Sequence, residues 1–189
     1  MVAYTLVCNY FHSLNDGSEI SSVLSFHAHR LDSLIVGLNV EWRPSYSRYK
    51  NPVATLQLCV GTRCLLFQLI HSDSIPSQLS SFLSDHRFKF VGVGVDEDVE
   101  KLVGDCGMSV ANPVDLRAVA AEVYGRREMH MQQMGIVKLA DEVLGMEVRK
   151  PKKITMSRWD QEYLTLDQIG YACVDAFLSF EIGRRLIAG

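Results

Sequence analysis

The hydrophobic positions along this chain change period partway through, predicting strands in the first half and helices in the second. "AYTLVCNYF" is rich in β-branched and aromatic residues and runs into the turn-like "SLNDGSE", so a short strand is expected there. In "SEISSVLSFHAHRL", Ile20, Val23, Leu24 and Leu31 fall at helical spacing, with Ser18 or Ser21 as a cap. "SLIVGLNVEW" is a continuous apolar run, the mark of a central strand covered on both faces. In "VATLQLCV", Leu56, Leu58 and Val60 alternate with Thr55, Gln57 and Cys59, and "CLLFQLI" returns after the turn "GTR". Residues 53–70 therefore predict a hairpin, and with the preceding strand a three-strand meander. Ile75, Leu79, Phe82 and Leu83 share one helical face; "FKFVGVGV" is the next strand, and "DEDVEKLVGDCG" a helix with acids in its first turn, where the helix dipole favours them.

Beyond this point the pattern is helical. An Ala-rich run spans residues 114–124, a short helix over 136–144 is closed by Gly145, and residues 165–187 form the longest periodic segment. Thr165 followed by Gln168 has the spacing of a capping box. The order predicts an α/β fold with a mixed central sheet flanked by helices. No repeat, low-complexity tract or linker divides the chain; residues 1–30 are expected to form a strand and helix packed on one globular unit spanning 31–189.

Composition narrows the function. The 189 residues are 48% hydrophobic, enough for a sizeable core, and the net charge of -3 argues against a broad basic surface for long duplexes. An acidic balance suits a site in which carboxylates hold cations. The five cysteines, Cys8, Cys59, Cys64, Cys106 and Cys173, include no CxxC pair and are expected to be reduced and mostly buried, as in an intracellular protein. No apolar run approaches the roughly 18 residues of a membrane span and the N-terminus lacks a secretory pattern, so a cytosolic or nuclear location is expected. The one dense basic run, "RKPKK" at 149–153, is expected to be a solvated loop or a phosphate contact.

The chemistry-bearing residues are few. Asn39 and Glu41 lie on one face of the central strand, opposite Leu38 and Val40. Asp98 falls where the chain leaves a Gly-rich strand for a helix, and Tyr171 and Asp175 are stacked neighbours on the last helix, flanked by Ala172 and Ala176, which would let that helix lie close to the sheet. Trp42 is expected on the face opposite Glu41, in the core. His27 and His29 have no third ligand and read as a surface pair, and the glycines of "GVG" at 92–94 lack the third glycine of a dinucleotide fingerprint and read as close packing.

Taken together, "VGLNVEWRP", "FVGVGVDEDVEKL" and "WDQEYLTLDQIGYACVDAFLSFEI" resemble, in order, the three motifs of the 3′-to-5′ exonuclease domain of the DnaQ-like, ribonuclease H fold superfamily, in its tyrosine-containing, Werner-syndrome-type branch. "LQLCVGTRCLLFQL" resembles the hairpin after the first motif. The resemblance covers about Val36 to Leu186 and implies a ribonuclease H-like three-layer fold. It implies two divalent cations, Mg or Mn, that clamp a scissile phosphate through Glu41, Asp98 and Asp175, with Tyr171 orienting the attacking water. Asn39 stands where the pattern has an Asp that bridges both cations; its neutral amide would hold the second cation weakly. Two readings stay open: an exonuclease of single-stranded 3′ ends, RNA favoured, weakened by Asn39, or a catalytically inactive binding or assembly module. The chain also resembles small stand-alone plant members of the superfamily, which implies a homo-oligomer, possibly six subunits in a ring, Argonaute-type complexes as partners, and the cytoplasm.

Overall fold

The computed structural model describes residues 5–11 and 34–187. The helix expected over residues 18–31, with His27 and His29, lies outside them. The described elements are β1 (Val7–Phe11), β2 (Leu34–Trp42), β3 (Val53–Val60), β4 (Arg63–Phe67), α1 (Ser77–Leu83), β5 (Phe88–Gly92), α2 (Val95–Cys106), β6 (Pro113–Asp115), α3 (Leu116–Tyr124), α4 (Ile136–Leu144), the single turn α5 (Lys152–Thr155) and α6 (Leu166–Ile187). They build one six-stranded sheet in the order β1-β4-β3-β2-β5-β6. β2, β3 and β4 are the antiparallel meander, and β1, β5 and β6 pair in parallel with their neighbours, so the sheet is mixed as its sequence predicts.

Strand alternation sorts β2 between two cores. Ile35 packs with Ala172, Ala176, Phe177 and Phe180 of α6 and with residues of α3 and α4. Val36, Leu38 and Val40 point the other way, into a core with Leu79, Phe82 and Leu83 of α1 and Val95 and Leu102 of α2. This is a helix–sheet–helix sandwich, with α6 lying across the middle of the sheet. Trp42 packs on the α2 side, opposite Glu41, after a register irregularity at the end of β2; the Lys101 ammonium lies 5.0 Å over its ring. Although α6 has 22 residues, no helix among the described residues is long and apolar enough to cross a membrane.

Three local features depart from the sequence pattern. The run 114–124 is not helical throughout: Pro113–Asp115 form a sixth strand before α3 begins. Proline cannot donate to a ladder and is accepted here because β6 is the sheet edge. The strand expected over "FKFVGVGV" ends at Gly92, because Gly94 turns into the left-handed region (φ 77°) and opens α2. Four of the five cysteines, scattered in sequence, meet: Cys8 and Cys64 are paired across β1 and β4, Cys59 and Cys64 across β3 and β4, and the Cys64 thiol donates to the Cys173 carbonyl. All five are free thiols, and Cys59, Cys64 and Cys173 are buried.

One contact sets the height of α6 above the sheet. A Cβ added at Gly37 would lie 2.0 Å from the Ala176 carbonyl oxygen and 2.7 Å from the Phe180 nitrogen, both backbone atoms that cannot turn aside. Farther along, a Cβ at Gly183 would meet Val91 at 2.8 Å. Glycine and alanine at these crossings bring the helix backbone against β2. Gly37→Ala is expected to force the two apart and cost about 3 kcal/mol, the upper part of the range for overpacking; urea unfolding of the variant and the unaltered chain measures it.

Candidate active site

Asn39 and Glu41 follow Gly37 on the α6 face of β2, so the contact that seats the helix also carries Tyr171 and Asp175 over them. A cleft of about 440 Å³ is lined by Asn39, Glu41, Asp98, Tyr171 and Asp175 together, with Arg117 and Lys150 among the remaining walls. All five residues singled out in the sequence thus share one cavity. Asp98 arrives from the far side of the sheet: in the first turn of α2 it shares a buried stripe with Val95 and Leu102, at helical spacing. It is therefore an inward carboxylate rather than an exposed dipole contact.

The scaffold behind these side chains is closely braced. The Thr165 hydroxyl accepts from the Gln168 amide (3.3 Å) while the Gln168 carbonyl accepts from the Thr165 amide (3.0 Å), the reciprocal capping box that starts α6. Trp159, fully buried, packs its ring 5.9 Å from that of Tyr171. The Tyr171 hydroxyl is 3.0 Å from Thr155 Oγ1. At the other wall, Asp115 ends β6, accepts the Gly94 amide (3.0 Å) and the Arg117 amide (2.8 Å), and holds the Arg117 guanidinium at the rim. A Cβ at Gly92 would press on the Leu38 carbonyl at 2.9 Å, so Gly92 serves close packing next to the cleft, whereas Gly94 has room for a Cβ and is required by its left-handed backbone (φ 77°).

Two features depart from the sequence reading. Asn39 does not turn its oxygen toward Glu41; its amide nitrogen donates to Gln57 Oε1 (2.8 Å) and approaches Glu41 Oε1 (3.4 Å). Gln57 lies opposite Asn39 in the β2–β3 register, fully buried, and donates in turn to Thr55 Oγ1 (2.6 Å). Lys150, expected in a solvated loop or on a phosphate, instead reaches into the cleft: its ammonium is 2.6 Å from Asp175 Oδ2 and 4.6 Å from the centre of the Tyr171 ring. Gln57 meets Asn39 through the β2–β3 register, which the predicted hairpin over 53–70 does not fix. Lys150 carried no signal, being one of four basic residues in a five-residue run.

The electrostatics are those of buried carboxyls crowded together with one ammonium among them. Burial, then the neighbouring Glu41, Glu97, Asp175 and Asp115 charges, pushes Asp98 well above the usual carboxyl range. Burial and the Asp175 charge push Glu41 up to about 8, against the opposing influence of Lys150 and the Asn39 hydrogen bond. Burial also raises Asp175, although the Lys150 ammonium resists it. Burial works against the charge on Lys150, but Asp175 and Tyr171 together outweigh it and raise the lysine above its ordinary range. Asp175 Oδ1 is buried with no hydrogen-bond partner. An orphaned carboxylate oxygen beside two carboxyl groups that resist ionisation is a set of oxygen donors that suits a divalent ion. As they stand, no three His, Cys, Asp or Glu side chains among the described residues are grouped closely enough to hold one.

Fold and cleft together define a class: a ribonuclease H-like α/β domain with acidic side chains converging from a central strand, a helix start and a final helix. The family model for 3′-5′ exonuclease matches residues 14–187, and the chain belongs to that family. It is 33% identical to an Arabidopsis thaliana 3′-5′ exonuclease over 154 residues, 80% of this chain and 52% of that protein. It is 34% identical over 179 residues to the mouse bifunctional 3′-5′ exonuclease/ATP-dependent helicase WRN, covering 94% of this chain and 12% of that one. The chain thus spans about half, or much less, of these relatives. Among solved structures it matches the EXD2 exonuclease domain soaked in Mn (27% identity, TM-score 0.55, 96% of this chain and 90% of that one). It also shares the fold of Escherichia coli RNase D (20% identity, TM-score 0.74, 95% and 44%).

The raised carboxyls make a pH prediction. Because the folded chain favours protonated Glu41, this group supports folding fully below its ordinary range, and the support is lost as pH rises toward about 8. The melting temperature of the protein in chelator is therefore expected to fall between about pH 5 and about pH 8.5, with Glu41→Gln flattening the decline and melting higher at the alkaline end. Thermal melts across that window check it; identical profiles for the two proteins would contradict it.

Proposed function

We propose that the chain is a 3′-to-5′ exonuclease of single-stranded nucleic acid, RNA over DNA, using divalent cations, Mg or Mn, with catalysis weakened by Asn39. The observation that carries this is the gathering of Glu41, Asp98, Tyr171 and Asp175 in one cleft from β2, α2 and α6. Glu41, Asp98 and Asp175 would hold the cation. When bound, such an ion supplies activation of a water and neutralisation of the phosphate charge.

The chain's own groups do the rest. Burial and the Asp175 charge raise the Tyr171 phenol, so it stays protonated and orients the attacking water as a hydroxyl whose position Thr155 fixes. Arg117, at the rim, offers a guanidinium to the phosphate beyond the scissile one. The loop between β2 and β3 leaves the cleft at Pro44 and presents Tyr46 (96% exposed) and Tyr49 beside Arg48 and Lys50. Exposed aromatic rings among cations suit the stacking of bases and the tracking of a single-stranded backbone. A six-subunit ring, Argonaute-type complexes as partners and a cytoplasmic site of action belong to the same reading and rest on the likeness to stand-alone plant proteins.

A second reading is favoured by one observation. The amide hydrogen that Asn39 turns toward Glu41 repels a cation where the family pattern has a carboxylate, which fits a module that binds nucleic acid or assembles without cleaving. Restoring the acid is sterically simple: Gln57 need only turn its amide over to donate to residue 39 and accept from the Thr55 hydroxyl. End-labelled single-stranded RNA and DNA, incubated in Mg and in Mn with the unaltered chain, Asn39→Asp and Asp175→Ala, decide between the readings. The expected result is stepwise shortening by the unaltered chain, its loss in Asp175→Ala, and a rate about tenfold or more higher in Asn39→Asp, equivalent to about 1.4 kcal/mol of barrier. Shortening by Asn39→Asp alone would establish the non-catalytic module.

A further inference from the structure

Lys150 stands where a lysine has no evident business, among the carboxylates of a cation site. Its ammonium is 2.6 Å from Asp175 Oδ2 and rests over the Tyr171 ring, and its side chain is only 24% exposed, so it lies between the two residues that the last motif sets one helical turn apart. Its delivery is built into the chain. Lys150 precedes Pro151, which biases its backbone to an extended form, and α5 begins directly afterwards, with Thr155 on the Tyr171 hydroxyl. One segment, 150–155, thus grips both Asp175 and Tyr171.

The charges balance in a particular way. Of the four carboxylates that line the cleft, Glu97 is paired with Lys50; the other three, Glu41, Asp98 and Asp175, face one ammonium, and Asn39 is neutral, so two negative charges are left, those of one divalent cation rather than two. Arg117 does not alter this, being paired with Asp115. Asp175 offers one oxygen to the lysine, while the other, buried and unpartnered, is free for an ion. The neutral amide at position 39 and the base at position 150 act in the same direction, each leaving the cleft one negative charge short.

We propose that the Lys150 ammonium permanently occupies the place of one cation, so that this chain takes a single divalent ion per subunit and Lys150 itself supplies the second positive charge at the scissile phosphate. This rests on the cation-dependent reading above and goes beyond it in stoichiometry and in the residue that completes the charge. A fixed ammonium opposes the entry of a dication a few ångströms away. It also makes one of the site's three positive charges independent of metal concentration.

Mn2+ binding, followed by the loss of the free-ion electron paramagnetic resonance signal, tests this without reference to turnover. The unaltered chain is expected to bind one Mn2+. Lys150→Met is expected to bind its ion about tenfold or more tightly, as removal of a unit charge a few ångströms away implies. Lys150→Arg keeps the charge and should behave as the unaltered chain does, and the double variant Asn39→Asp with Lys150→Met should bind two ions. Circular dichroism establishes that each variant is folded; if Lys150→Met is not, the double variant and Lys150→Arg carry the test. Two ions on the unaltered chain, or one ion on a folded double variant, would overturn the proposal. So would equal affinities for the unaltered chain and folded Lys150→Met. Absence of binding by every variant would overturn the cation-site reading beneath it.

Discussion

The close seating of α6 on β2 is the contact on which the site depends. Gly37 has no side chain, and the Ala176 carbonyl fills the space one would need. Two residues further along the same strand face stands Asn39, and four further stands Glu41; one turn back along the helix from Ala176 lies Ala172, between Tyr171 and the rest of the motif. Strand period and helix period therefore convert one backbone contact into the approach of Asn39 and Glu41 to Tyr171 and Asp175. A methyl group at Gly37 would lift the helix and with it Tyr171 and Asp175 away from Glu41.

Such proximity has an electrostatic cost. Carboxylates brought together in a half-buried cleft repel one another, and the raised Glu41, Asp98 and Asp175 record that repulsion. The chain answers it with Lys150, which pairs with Asp175, and with the neutral Asn39, whose amide lies against Glu41. Both devices lower the repulsion without a metal. On the proposed function both would also lower the attraction for a cation, so that what steadies the metal-free domain would weaken its hold on a second ion.

Much of this was legible in the sequence, for physical reasons. Continuous apolar runs mark strands covered on two faces, so β2 and its neighbours stood out, and alternation put Asn39 and Glu41 on one face before any coordinates. The capping box at Thr165 and Gln168 fixed the start of α6. β6 was hidden because three edge residues opened by a proline carry no period, and its Asp115 gains its role only by capping α3 and bracing Gly94. Lys150 was hidden because position in space, not composition, separates it from Arg149, Lys152 and Lys153. The Gln57 contact needed the β2–β3 register, which a sequence read strand by strand does not supply.

β2, α2 and α6 assemble a cleft whose acids, on the proposed function, would hold a divalent ion. Crystals grown in manganese, with diffraction measured for anomalous scattering from the metal, address it most directly. The expected map has manganese in the cleft, bound through Asp175 Oδ1 and Glu41. A well-ordered cleft without manganese, Lys150 still on Asp175, would contradict it.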